Sequence, residues 1–146
     1  GLPHRQEVVF SKKNILCVND SKATSFEACL QSLGNYNNIF WIVGGLPKLR
    51  DRFYLKRLSK KIIKAYIIGK HTSFFVKQIG KKIPYKISHN IRAAIKNITG
   101  DIKKIKKNKK YIILFSPAAA SFDQFENFEE RGNLFKHLIK NNFKND

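Results

Sequence analysis

Apolar and polar positions fall in blocks along the chain, and the blocks switch between two periods. Ile15-Leu16-Cys17-Val18 is an apolar run of strand length, and behind it Phe26, Cys29, Leu30 and Leu33 recur at the i, i+3, i+4, i+7 spacing of a helix face. Asn35 to Asn38 breaks that pattern. A second buried strand, Ile39 to Val43, is stopped by Gly44-Gly45, and Tyr54, Leu55, Leu58 and Ile62 predict a helix from about Asp51 to Lys61. A third strand is expected over Ala65 to Ile68, with Gly69 ending it. Thr72 is placed to cap a short helix containing Phe75, Val76 and Ile79, and Pro84 to Ile87 reads as a short strand. Ser88 is expected to cap a helix with Ile91, Ala94, Ile95 and Ile98 on one face. Tyr111 to Phe115 is apolar throughout, as suits a strand covered on both sides, and the last helix turns Leu134, Phe135, Leu138 and Ile139 inward.

Repeated strand-helix units with apolar strands predict a single α/β domain of Rossmann-like, three-layer build: a mainly parallel sheet with helices on both faces and right-handed crossovers. The chain has 146 residues, enough for one ordinary hydrophobic core. Residues 1–10 lack periodicity and precede the first expected strand, so they read as a linker, and residues 11–146 as the domain. No apolar run reaches the roughly 18–20 residues of a membrane span, and no signal-peptide pattern opens the chain. A soluble cytoplasmic protein, without a membrane partner, is expected.

The formal net charge of +19 changes the picture only so far. Taken alone it suggests nucleic acid, and a basic nucleic-acid-binding α/β module is the rival reading. The lysines are nevertheless scattered with Asn and Ile along the whole chain, and the densest run, Lys103 to Lys110, holds no aromatic residue on which a base could stack. No specific nucleic-acid partner is therefore expected. Cys17 and Cys29 make neither a disulfide framework nor a metal site, and His4, His71, His89 and His137 have no ligand spacing, so no metal is assigned to the chain. A dinucleotide fold would want G-x-G-x-x-G after its first strand, and none is present. Gly69-Lys70-His71-Thr72 has the tail of a phosphate loop, but Lys64 stands where its first glycine belongs.

Three stretches fall where strands end and carry groups suited to an anionic ligand. Asn19-Asp20-Ser21-Lys22-Ala23-Thr24 follows the first strand; its bland reading is a capping box, with Thr24 capping the helix and Glu27 replying, which leaves Asp20 and Lys22 unexplained. Lys48 closes a Gly-Gly-Leu-Pro-Lys turn after the second strand, where it is either one more solvated lysine or a fixed cation. Ser116-Pro117 stops the strand at Tyr111 to Phe115, and Ala118 to Ser121 is a loop of almost no side-chain bulk, leading towards a helix N-terminus, the kind of place where an α/β sheet binds anions. In its continuation, Phe122 and Phe125 read as packing residues, Asp123 and Glu126 as acids favouring the helix dipole, and Phe128 as a residue packing its ring inward.

The run SPAAASFDQFENFEERG resembles the signature of the D-glutamate-adding Mur ligases, ATP-dependent enzymes of peptidoglycan synthesis. Gly1-Leu2-Pro3-His4-Arg5, Asn19 to Thr24 and Gly44 to Lys48 resemble the same family in the same order, so the likeness spans nearly the whole chain but only the family's third domain. Ala119 stands where that family commonly has cysteine, and Ser25 where it commonly has asparagine.

The resemblance implies that the chain is the carboxyl-terminal domain of an acid–amino-acid ligase. In that reaction ATP phosphorylates the carboxylate of UDP-N-acetylmuramoyl-L-alanine, and the amine of D-glutamate attacks the acyl phosphate. It implies Lys22 and Asp20 at the reaction centre, Arg5, Asp20 and Lys22 facing the nucleotide, and Thr24, Lys48, Ser121 and the backbone N–H of Phe128 binding D-glutamate. ATP and Mg²⁺ are expected to be held mainly by a central domain outside this chain, to which residues 1–10 lead, and UDP-N-acetylmuramoyl-L-alanine by other domains again. The fragment alone is expected to be inactive, and the enzyme to be a monomer.

Overall fold

The computed structural model describes residues 2–105, 108–122 and 124–143. The chain runs through β1 (Glu7–Lys12), β2 (Ile15–Asn19), α1 (Phe26–Asn35), β3 (Ile39–Gly44), β4 (Ile62–Ile68), α2 (Thr72–Ile79), β5 (Tyr85–His89), α3 (Ile91–Ile102), β6 (Tyr111–Phe115) and α4 (Phe128–Phe143). The strands form one sheet in the order β1-β2-β6-β3-β4-β5, with β1 antiparallel to β2 and every other pair parallel. This is the single Rossmann-like α/β domain that the alternation of apolar blocks predicts.

The unbroken apolar runs have a simple cause. Successive side chains in a strand point to opposite faces, and both faces of this sheet are covered. Trp41 and Val43 enter the layer under α1 and α2, with Phe26, Cys29, Leu33, Phe75 and Ile79. Phe40 and Ile42, their neighbours in β3, enter the opposite layer under α3 and α4, with Ile91, Ile95, Ile98, Phe135 and Ile139. Cys17 and Cys29 are free, buried thiols, one in each layer, and burial pushes both well above their ordinary pKa.

The topology also locates a site. The chain passes from β2 through α1 to β3 and onward to β5, then returns to insert β6 between β2 and β3. Strand order therefore reverses at β2-β6-β3, and the crevice beyond the carboxyl ends of such strands is where open α/β sheets take ligands. Among the described residues no helix is long and apolar enough to cross a membrane.

Several local expectations are corrected. No helix forms over Asp51 to Lys61; that segment is irregular and leads into β4, which begins at Ile62. Phe53 and Leu55 are both buried while Tyr54 between them is 78% exposed, so the segment alternates in and out like an extended chain. Phe53 stacks on Phe26 at 4.6 Å and edges against Phe74 and Phe75. Asp51, which looked like the start of its own helix, instead accepts the Phe26 N–H at 2.9 Å and caps α1. The side-chain cap of α1 is Ser25, which accepts the Ala28 N–H, and not Thr24. Likewise Asn90 caps α3 by accepting the Ala93 N–H, and Ser88 lies within β5. Thr72 is the first residue of α2, whose cap position is His71. Leu30 is exposed, its expected place on the inner face of α1 being supplied by Ser32. Residues Glu7 to Phe10 belong to edge strand β1, which the lack of apolar periodicity concealed. In the lysine-rich run, Lys106 and Lys107 lie outside the described residues, and Lys103, Lys104, Lys109 and Lys110 are exposed.

The irregular path of Asp51 to Lys61 separates two neighbouring aromatic residues. Phe53→Ala is expected to destabilise the domain by about 3 kcal/mol, as truncating a core aromatic does, whereas Tyr54→Ala should stay within about 0.5 kcal/mol. Urea unfolding of the two variants checks this; comparable losses from both would restore a helix with Tyr54 turned inward.

Candidate functional site

Three loops leave the sheet at the reversal point, and backbone bonds tie them together. The Asp20 N–H donates to the Phe115 carbonyl at 2.7 Å, and the Ser116 N–H to that of Ile42 at 3.2 Å. The Gly44 N–H donates to the Pro117 carbonyl at 2.9 Å, and Leu46 and Ala120 exchange bonds of 2.9 and 2.8 Å in an isolated antiparallel bridge. That bridge needs a residue without a side chain beside it. Gly45 has φ +141°, and a Cβ there would stand 2.6 Å from the Ala120 carbonyl oxygen. Ala118 holds φ +55°, a left-handed conformation that costs a non-glycine residue roughly 1 kcal/mol.

The start of α4 is fastened to the loop after β2. Arg131, 1% exposed, donates through Nε to Ser21 Oγ at 3.0 Å and through Nη2 to the Ser21 carbonyl at 2.7 Å, with its guanidinium over the Phe115 ring. Ser21 Oγ in turn donates to the Phe128 carbonyl at 2.7 Å. Asn127 caps the helix by accepting the Glu130 N–H. Phe128 is thus the first residue of α4, where a backbone N–H has no partner within the helix and points outward. Lys22 Nζ lies 6.0 Å from the centre of the Phe128 ring.

The segment ahead of β1 packs on the same edge. His4 is buried, its Nδ1 2.9 Å from Asn19 Nδ2 and its ring edge-on to Phe128. This fit depends on Gly132, because a Cβ at that helical position would collide with His4 Nδ1. Lys22 N–H donates to the His4 carbonyl at 3.0 Å. Glu7 accepts from the His4 N–H, Asn19 Nδ2 and Lys136 Nζ. Burial tends to raise the Glu7 carboxyl, but these donors outweigh it and leave it below its ordinary value.

Asp20 sits at the centre, 3% exposed. Its Oδ2 accepts the Ser32 hydroxyl at 2.6 Å and the Ser116 hydroxyl at 2.7 Å, and its Oδ1 accepts the Gln6 N–H at 3.1 Å. Burial pushes this carboxyl above its ordinary value, against the opposing pull of those donors and of the Arg5 charge. Arg5, Asp20 and Lys22 share the wall of one cleft of about 230 Å³ with Gln6, Glu27 and Gln31.

The sequence-derived site residues therefore fall into two groups. Arg5, Asp20 and Lys22 meet at the cleft, and Lys22 also neighbours Phe128. Lys48 is exposed, and its turn is tied by the Asp51 N–H to the Lys48 carbonyl and by the Asp51 carboxylate to Phe26, two residues beyond half-buried Thr24. Ser121 is buried, and its carbonyl accepts from the Gln124 and Phe125 N–H groups, one residue beyond the Leu46 bridge. Phe125 packs against the α3/α4 core layer, but Phe122 is 69% exposed and is no packing residue. Glu126 precedes α4, whose first-turn acids are Glu129 and Glu130; Asp123 lies outside the described residues. Among the described residues, no three His, Cys, Asp or Glu side chains are grouped to hold a metal ion.

Sequence reasoning passed over Arg131, Ser32 and Ser116. Only Arg131 leaves a signal, as a charged residue one turn ahead of Phe135 on the apolar stripe of α4.

The carboxyl of Asp20 titrates higher in the folded chain than in the unfolded one. Its contribution to stability is complete below the unfolded value and declines as pH rises between the two, whereas that of Glu7 is lost as pH falls. Asp20→Asn, which keeps polar partners for both serines, is accordingly expected to unfold at no lower urea concentration than the parent at neutral pH. Asp20→Ala, which leaves buried donors unmatched, should lose about 2 kcal/mol. Equal loss in the two variants would show that the charge itself stabilises the fold.

No protein-family model matches the chain. Curated proteins do. The chain is 43% identical over 136 residues to a UDP-N-acetylmuramoylalanine--D-glutamate ligase of Mesorhizobium japonicum, covering 93% of this chain and 29% of that protein. It is 42% identical over 135 residues to the ligase of the same name from Rhizobium meliloti, covering 92% of this chain and 29% of that one. The Brucella abortus ligase of that name is 41% identical over 140 residues, covering 95% and 30%. The chain spans less than a third of the length of the curated relatives it matches. Over nearly its whole length, this chain matches a domain-sized part of these D-glutamate-adding ligases.

Proposed function

We propose that the chain is the carboxyl-terminal domain of the ATP-dependent ligase that joins D-glutamate to UDP-N-acetylmuramoyl-L-alanine in peptidoglycan biosynthesis. In that role it binds D-glutamate and closes over ATP. The observation that carries the reading is the gathering of the β2, β3 and β6 loops at one sheet edge, with Lys48, Ser121 and the α4 N-terminus on adjoining segments. It agrees with the name of the Mesorhizobium japonicum ligase, to which 93% of the chain aligns.

The division of labour follows from charge. D-glutamate brings two carboxylates and an amine, and such a ligand needs a fixed cation and directed donors. Lys48 supplies the cation to one carboxylate; Thr24 Oγ1, Ser121 Oγ and the Phe128 N–H supply the donors. The helix N-terminus at Phe128 favours an anion in its own right. Arg5 and Lys22 face the nucleotide across the cleft, with Asp20 fixing its floor from behind. ATP, when bound, supplies the phosphate that activates the carboxylate of UDP-N-acetylmuramoyl-L-alanine for attack by the D-glutamate amine. The residues of this chain orient the amine and balance charge, a task of positioning and electrostatics. In this reading Mg²⁺ is held mainly by the central domain, beside ATP. The domain alone neither ligates nor hydrolyses ATP, and the whole enzyme works as a cytoplasmic monomer, with residues before β1 leading from the central domain.

Lys48→Ala and Ser121→Ala in the full-length ligase are each expected to raise KM for D-glutamate on the order of tenfold, the worth of one charge-assisted hydrogen bond. The thermal unfolding midpoint of each variant should stay near that of the parent. Steady-state kinetics with varied D-glutamate is the check, and unchanged KM values would remove these residues from the site.

A further inference from the structure

We propose that Ser32 is a positioning residue for the nucleotide side of this site: its buried hydroxyl, with that of Ser116, fixes the Asp20 carboxylate, which holds the Gln6 backbone and so sets where Arg5 stands. The inference deepens the functional reading above and rests on it for the identity of the ligand that Arg5 meets.

The geometry makes a chain of four links. Ser32 on α1 is 0% exposed and lies 2.6 Å from Asp20 Oδ2; Ser116, at the end of β6 and also 0% exposed, lies 2.7 Å from the same oxygen. The other oxygen, Oδ1, receives the Gln6 N–H at 3.1 Å. Gln6 adjoins Arg5, and both neighbours of Arg5 hold left-handed backbone, His4 at φ 64° and Gln6 at φ 44°. Such a turn does not hold itself, since each left-handed residue is unfavourable for an L side chain. It must be held from outside.

Helix α1 supplies the hold at two points one turn apart. Ser32 acts through Asp20, and Asn35 Nδ2 donates directly to the Gln6 side-chain oxygen at 2.8 Å. Packing alone does not call for a hydroxyl at position 32. A buried hydroxyl is unfavourable unless bonded, and alanine would fill the space under α1 without that need. What the serine adds is a second directed donor for a carboxylate that has almost no solvent. With Ser116 alone on Oδ2 the carboxylate is held less firmly in its plane, and the Gln6 N–H and Arg5 shift with it. Supporting groups of this kind keep a binding residue within a fraction of an ångström of its working place.

The test uses full-length ligase carrying Ser32→Ala. KM for ATP should rise on the order of tenfold, matching the loss of one hydrogen bond to a charged group, with KM for D-glutamate within about twofold of the parent. Backbone amide exchange in the peptide containing Gln6 should speed up while that of β3 and β4 does not. In an Asp20→Asn background the same substitution should add less than about twofold to KM for ATP, since the two act in series. A parallel rise in both KM values, an equal effect in the Asp20→Asn background, or unchanged exchange at Gln6 overturns the proposal. If Ser32→Ala proves too unstable to assay, Ser32→Cys, nearly the same size but a weak donor, is judged by the same criteria. A parent protein without D-glutamate-dependent ATP turnover would sink the functional reading instead, and the exchange contrast at Gln6 would still decide the role of Ser32.

Discussion

A guanidinium that is 1% exposed must find hydrogen-bond acceptors inside the protein, or the charge would be left stranded in an apolar layer. Arg131 finds them on Ser21, in the loop beyond β2, through both its Nε and Nη2. This requirement fixes the first turn of α4 against that loop, and Ser21 closes the arrangement by bonding the Phe128 carbonyl. The helix N-terminus, the β2 loop and the end of β6 are thereby placed relative to one another before any ligand arrives. Removing the arginine would leave the Ser21 hydroxyl on the Phe128 carbonyl as the bond between the helix N-terminus and that loop.

The same economy runs through the rest of the edge. Each loop has polar backbone that the sheet no longer pairs, and each satisfies it on a neighbouring loop: Asp20 on Phe115, Gly44 on Pro117, Leu46 with Ala120. Side chains then add cross-ties. Asp20 joins β2, α1, β6 and the segment ahead of β1, and Glu7 joins that segment to α4 through Lys136. Buried polar groups that are fully bonded in this way specify one arrangement rather than many. An edge made of separated segments needs that specification, because no single element carries it.

The parallel core was legible in the sequence because its signal is local. Ile39 to Gly44 and Tyr111 to Phe115 are apolar without interruption, and only a strand covered on both faces tolerates that. The polar groups near strand ends are local signals too: Asp20, Lys22 and Lys48 lie within four residues of the strand before them, and Ser121 six beyond β6. The errors lie where tertiary contact overrides spacing. Tyr54, Leu55, Leu58 and Ile62 mimic a helical stripe, yet Phe53 is drawn into the cluster with Phe26 and Phe75, and this fixes an extended backbone. Strand β1 has half-buried and exposed residues in no clear period, since it is an edge paired on one side only. Ser32 and Ser116 were illegible, and Arg131 left only its place on an apolar stripe, because their partners lie 12, 96 and 110 positions away along the chain.

The turn that carries Lys48 is tied at both ends, by the Leu46–Ala120 bridge and by Asp51 on the N-terminus of α1. Its backbone is therefore ordered as part of the fold. A lysine on a loose loop would lose conformational freedom on meeting an anion, and that loss would be subtracted from its affinity. Here only the side-chain rotamers remain to be fixed, so the loop behaves as a rigid mount. The thermodynamic signature of a ligand docking there should be governed by desolvation and charge, with little contribution from chain entropy.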